Sequence, residues 1–276
     1  MDRPTVNRLN ARFYLPALAL TAIVVATGCN RIERRVANES RATITRNWPA
    51  AGIEQVKVFE VDGSITVEAA PGNEISLLAT AKGDLDVKKG QENDGLFKTE
   101  IVGDTLRIGR QTEKRKGWHF GFHWGLDDVR IDYVLKVPAT VALDVSTVNG
   151  RIATRGTEGE TEASTVNGSI DIETAGTHEL QATTVNGRVK AKFTRSFQGA
   201  RFKTVNGGVM ATLPQSASFS VNLSQVNGDF EASFPLSIHS NPGSRRVSGE
   251  VNGGEHELKI VTVNGDVELA RLNGTH

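Results

Sequence analysis

The sequence predicts an all-β protein whose chain coils as a parallel β-solenoid, and three observations predict it. The tetrapeptide Thr-Val-Asn-Gly recurs at 147–150, 165–168, 184–187, 204–207 and 262–265, and Gln225-Val226-Asn227-Gly228 fills the gap in the series. The residues flanking each copy alternate apolar and polar with period two, the mark of strands buried on one face. Glycine is frequent, 28 of 276 residues, against 8 prolines, so sharp turns are well supplied.

The first thirty residues stand apart from that pattern. Arg3, Arg8 and Arg12 precede an apolar run from Phe13 to Ala26, the layout of a secretory signal. The run is shorter than the ~20 residues that span a bilayer. It ends in Ala26-Thr27-Gly28-Cys29, and Cys29 is the sole cysteine. This segment resembles the lipobox of bacterial lipoproteins, although Ala26 stands where Leu or Val is commoner. The resemblance implies a signal peptide over 1–28 and a diacylglycerol on Cys29. The following Asn30 is not the Asp that retains many such proteins in the inner membrane, so by analogy the outer membrane is expected, on its periplasmic or its outer side. With its only thiol acylated the domain can form no disulfide. Residues 29–50, with Arg31, Arg34, Arg35, Arg41 and Arg46, read as a lipidated, polar tether whose basic side chains can lie on anionic headgroups.

The solenoid domain is expected over 51–276, less regular over 51–140 and regular over 141–270. Val61-Asp62-Gly63-Ser64-Ile65-Thr66-Val67 reads as an early rung with Asp in place of Asn. Further strands are predicted at Glu74–Ala81, Thr105–Ile108 and Val129–Val137, with loops over 82–104 and 109–128. From residue 141 the corners are Asn149-Gly150, Asn167-Gly168, Asn186-Gly187, Asn206-Gly207, Asn227-Gly228 and Asn264-Gly265, and Asp62-Gly63 opens the series. The first five asparagines are separated by 18, 19, 20 and 21 residues, a structural period. Asn and Gly tolerate positive φ, which is the expected reason for their place at a sharp corner. An antiparallel meander of Asn-Gly hairpins fits the same alternation. The near-identity of the motif favours stacking, because only stacked rungs bring like residues into ladders. Val251-Asn252-Gly253-Gly254 falls out of phase and reads as an insertion or a distorted rung.

The Asp-Gly-Ser-Ile-Thr-Val opening at 62–67, the strand Val129–Pro138 and the Asn-Gly rungs together resemble the bacterial putative-adhesin family of envelope domains, from about residue 53 to 270. The resemblance implies a right-handed β-helix, often secreted or lipid-anchored, with no catalytic residue. It also implies a role at the cell envelope, adhesive or concerned with envelope homeostasis.

The residues themselves carry little chemistry. Charge is balanced, 32 basic against 32 acidic residues, which removes the positive field of a nucleic-acid binder. A carbohydrate-active β-helix enzyme needs carboxylates converging on a groove. The only candidates are Asp127, Asp128 and Asp132 beside Arg130, which on a strand give a solvated face with local ion pairs. His119 and His123 lie four apart but between glycines, with no third ligand, so neither a metal nor a cofactor is expected. Trp118, His119, Phe120, Phe122, His123 and Trp124 follow Lys114-Arg115-Lys116 and form a candidate interaction patch for a protein, a glycan or a membrane interface. The competing use of these aromatics is to plug an open end of the solenoid. The resulting expectation is a non-enzymatic, lipid-anchored envelope protein that presents a rigid binding surface. An enzyme on the same scaffold and a purely structural envelope component are the alternatives.

Overall fold

A computed structural model describes residues 31–37, 39–83, 96–110, 129–236, 239–240 and 246–272. The signal sequence, Cys29, the aromatic segment 118–124 and Asp127 and Asp128 lie outside them. Every described element is a strand, and the strands form two eleven-stranded sheets.

The regular part is built from pairs of strands, one in each sheet, joined across the Asn-Gly or Asp-Gly positions. In chain order these rungs are β3 (Gln55–Asp62) with β4 (Ile65–Ala69), β9 (Ala142–Asn149) with β10 (Ile152–Thr157), and β11 (Thr161–Asn167) with β12 (Ile170–Thr174). Then come β13 (Leu180–Asn186) with β14 (Val189–Phe193), β15 (Ala200–Lys203) with β16 (Val209–Leu213), β17 (Phe219–Asn227) with β18 (Phe230–Ala232), and β21 (His256–Asn264) with β22 (Val267–Arg271). Successive rungs pair in parallel and in register: Ala163 stands beside Val145 on one side and Ala182 on the other, and Asn167 between Asn149 and Asn186. The Asn-Gly pairs therefore join strands of opposite sheets and are not hairpin reversals, which disposes of the meander. Side chains from the two sheets meet in a single core, with Val145, Ile152, Ile170, Ile172, Ala182 and Val189 fully buried.

Antiparallel strands finish both ends of the stack. The first sheet starts with β1 (Arg31–Ala37), β2 (Glu39–Pro49) and β5 (Glu74–Gly83), which lead to β8 (Arg130–Val137). The second sheet starts with β6 (Lys98–Val102) against β7 (Thr105–Gly109) and finishes with β20 (Arg246–Val251) and β19 (His239–Ser240). Two sequence expectations are corrected here. The tether expected over 29–50 is strand over Arg31–Ala37 and Glu39–Pro49, and Ile44 and Arg46 of β2 are buried, so the folded body begins before residue 51. Part of the loop expected over 82–104 is strand β6, an edge strand whose largely exposed side chains give no apolar alternation to read.

The rungs are not stacked in chain order throughout. The stack does not follow the chain to its end: β21 lies between β15 and β17, and β22 between β16 and β18. The out-of-phase Val251–Gly254 is the turn that permits this, passing around the start of β17 from β20 on one flank to β21 on the other.

A third correction concerns the corner glycines. Among the corners only Gly63 and Gly228 have positive φ, and no corner Asn does. The glycines are required because the coils nearly touch: a Cβ on Gly150 would stand 1.8 Å from the Gly63 carbonyl oxygen, and one on Gly168 would stand 1.8 Å from that of Gly150. No side chain fits at that distance.

Candidate functional site

Two columns run along the corner edge. In the outer one each asparagine amide donates to the side chain of the neighbouring rung. Asn167 Nδ2 reaches Asn149 Oδ1 at 2.8 Å, Asn186 reaches Asn167 at 2.8 Å and Asn206 reaches Asn186 at 2.9 Å. The column continues through Asn264 to Asn206 at 3.0 Å and Asn227 to Asn264 at 2.8 Å. It terminates on Asp62, whose carboxylate accepts from Asn149 Nδ2 at 2.7 Å. In the inner column the buried threonine of each motif donates to the preceding corner glycine carbonyl, as Thr147 does to Gly63 at 3.1 Å and Thr184 to Gly168 at 2.9 Å. Gln225, which stands where other copies have Thr, donates to Gly265 at 2.9 Å. Both columns are scaffold: every group in them is committed to a neighbouring rung.

The scaffold is broken at one rung. β7 and β8 stack under β3 and β4, with Gly109 opposite Phe59 and Tyr133 opposite Ile65. Six positions separate Phe59 from Ile65 and 24 separate Gly109 from Tyr133, so this corner carries 18 additional residues. The aromatic candidates Trp118, His119, Phe120, Phe122, His123 and Trp124 fall within that insertion.

A buried polar cluster holds the neck of the insertion. Glu60 occupies the inward position that Thr147 takes in the next rung. It is completely buried and accepts from the backbone amides of Val61 at 2.9 Å and Asp62 at 3.3 Å. Arg110, where the chain leaves β7, places Nε 2.6 Å from Glu60 Oε1. Its Nη2 donates to the Val129 carbonyl, where the chain returns. One guanidinium thus ties both ends of the insertion to the first rung. Burial drives the Glu60 carboxyl up from its ordinary 4.5 to about 6, against the opposing pull of Arg110, the Val61 amide, the Tyr133 hydroxyl and the Asp62 amide. Burial, and then the Glu60 carboxylate, raise the Tyr133 phenol well above its usual range. Tyr133 packs edge-on against Phe97, with ring centroids 5.4 Å apart, and the Arg46 guanidinium lies over the other ring at 5.2 Å from the Phe97 centroid.

Asp132, the one acid of the predicted trio within the described residues, is fully engaged. Its Oδ1 accepts from Ser64 N at 2.9 Å, Ser64 Oγ at 2.7 Å and Arg130 Nε at 3.1 Å, and Lys82 Nζ lies 3.3 Å from Oδ2. Partial burial pushes its pKa up, but the hydrogen bonds from Ser64 and Arg130 outweigh burial and bring it from 3.8 to about 2. A carboxylate so held is a poor proton donor or nucleophile. Among the described residues no three His, Cys, Asp or Glu side chains gather closely enough to hold a metal ion, and no helix is long and apolar enough to cross a membrane.

The architecture is that of a two-sheet β-stack with a parallel centre, antiparallel ends and one expanded corner. The chain matches the Toastrack DUF4097 family over residues 35–270 and belongs to it, in agreement with the envelope-domain resemblance seen in the sequence. No curated protein matches the chain. Similar solved structures include a putative cell adhesion protein from Clostridium sporogenes, 10% identical, covering 83% of this chain and 99% of its own, with a TM-score of 0.45. A putative adhesin from Bacteroides fragilis is 12% identical over 82% of this chain and 96% of its own, with a TM-score of 0.40. A putative lipid binding protein from Parabacteroides distasonis is 14% identical over 84% of this chain and 97% of its own, with a TM-score of 0.29.

Proposed function

We propose that this is a non-enzymatic, lipid-anchored protein of the cell envelope that uses the rigid β-stack to mount a binding segment, with an envelope protein or glycan as partner. The observation that carries the reading is the expanded corner. Every other corner joining the two strands of a rung is reduced to Asn-Gly or Asp-Gly, whereas this one spends 18 extra residues. Those residues include Trp118, Phe120, Phe122 and Trp124, and the neck is secured by the buried Glu60–Arg110 pair. Aromatic side chains suit recognition because each offers a large apolar area, and the neck fixes both ends of the segment that carries them. The coil is right-handed in this reading, as parallel crossover connections almost always are. Acylation of Cys29 ties it to the membrane, by analogy the outer one, two residues before β1 begins at Arg31.

The test is retention of purified protein on isolated envelopes, and separately on envelope polysaccharides and on envelope protein extracts. The wild type binds saturably without releasing cleavage products, and the Trp118→Ser/Trp124→Ser pair loses binding with an unchanged melting temperature. Cleavage products overturn the non-enzymatic assignment; a lower melting temperature with full binding makes these aromatics part of the end cap instead.

A further inference from the structure

The rung formed by β21 and β22 is synthesised after both of its neighbours and yet lies between them. The neighbours are shaped for it. Leu269 is fully buried with Ala211 beside it on one side and Ala232 on the other. Were β16 and β18 to pair directly in the same register, Ala211 and Ala232 would lose the contact that each makes with Leu269. Ile260 likewise fits between Phe202 and Leu223, and the asparagine column closes only through Asn264. Two rungs with a gap between them therefore make a specific acceptor for one particular rung.

The link to that rung is a single tight turn. Asn252, at φ 51°, is the only non-glycine with positive φ among the described residues, followed by Gly253 at 99° and Gly254 at 72°. Its bonds hold it against the segment that leads into β17: Asn252 Nδ2 donates to the Ala217 carbonyl at 2.9 Å, and Ser218 Oγ donates to the Asn252 carbonyl at 2.8 Å and accepts from the Glu255 amide at 3.1 Å. A short hinge beside an exchangeable element is a common setting for exchange between copies.

We propose that the slot between the β15–β16 and β17–β18 rungs is an acceptor site that takes the 256–271 rung of a second copy of this chain as well as its own, with 252–255 as the hinge. The partner is another molecule of the same protein, recognised through the Leu269, Ile260 and Asn264 positions.

The first test deletes Gly253 and Gly254 from the full chain. Three residue steps, at most ~11 Å, then have to arch over β17 between flanking strands ~10 Å apart, which blocks the return within one molecule. The expected product is a dimer, twice the wild-type mass by light scattering with wild-type strand content. A folded monomer overturns the proposal. Should the deletion fail to fold, the full chain carrying a protease site in place of 252–255 is folded, cleaved, unfolded in urea and refolded with a tenfold excess of fluorescent peptide 256–272. Uptake of about one peptide per protein is expected. A Gly265→Val peptide, whose side chain meets the Gly207 carbonyl oxygen at 2.1 Å, is taken up at least tenfold less. No uptake of the unaltered peptide overturns the proposal.

Discussion

Asn149 donates its side-chain amide to Asp62 at 2.7 Å, and that bond ends a column in which every other acceptor is itself an amide. A carboxylate accepts and cannot donate, so it is suited to the rung with no further asparagine beyond it.

Asp62→Ala removes the terminal acceptor and leaves Asn149 to water. Because the bond lies at an exposed edge of the stack, the expected loss is about 0.5–1 kcal/mol. Asp62→Asn keeps a side-chain oxygen and stays within about 0.5 kcal/mol of wild type. Urea denaturation of the three proteins at one pH checks the ranking.

Close approach and backbone conformation make separable predictions for glycine. In Gly150→Ala the new Cβ stands 1.8 Å from backbone oxygen, so adjacent rungs have to move apart, at about 3 kcal/mol. Gly52 has φ +81° and nothing within 4 Å of a Cβ, so Gly52→Ala meets only conformational strain of about 1 kcal/mol. Equal losses in thermal denaturation would contradict the packing explanation.

Thr184→Val preserves shape and deletes a hydroxyl bonded to the Gly168 carbonyl at 2.9 Å in a position 1% exposed. The expected cost is about 1 kcal/mol. Thr184→Ser, which keeps the hydroxyl and loses a methyl, separates the hydrogen bond from packing in the same denaturation series.

Glu60 makes the neck sensitive to pH. Its folded pKa of about 6 lies above the ordinary 4.5, so the folded state binds the proton more tightly than the unfolded one. The resulting stabilisation is fully present below pH 4.5 and is lost as pH rises through 6, a loss of about 2 kcal/mol. Glu60→Gln removes that slope between pH 4.5 and 7. Asp132 acts in the opposite sense and a different window: its contribution is present above 3.8 and is lost as pH falls through about 2. Stability measured against pH in Glu60→Gln and in Asp132→Asn resolves the two limbs; an unchanged slope in Glu60→Gln would refute the assignment.

The columns and most strands were legible because each rung repeats the same inward pattern, so one strand such as Thr161–Asn167 announces its neighbours. Their final order was not, since Asn227 and Asn264 carry equivalent motifs and either could follow Asn206. No single residue decides it: Leu269 lies between Ala211 and Ala232, yet Ala211 pairs as closely with Ala191, so an alanine in one rung does not announce a large residue in the next. The neck was missed for a related reason. Val56, Val58 and Glu60 point inward, and a glutamate where other rungs carry threonine marks a rung with a different neighbour. Arg46 looked like part of a solvated spacer because its burial depends on Phe97, some fifty positions away. The reason for the corner glycines, contact with the adjacent coil, is likewise a property of the stack and has no local trace.

The interposed rung changes what it means for this protein to be unfinished. An ordinary repeat array can grow like a zip, each unit settling on the one before. Here the last two coils cannot both be placed until the later one has been made, because the earlier one would otherwise close over its berth. A nascent chain halted after residue 236 therefore lacks an interior layer, and loses the contacts on both sides of it.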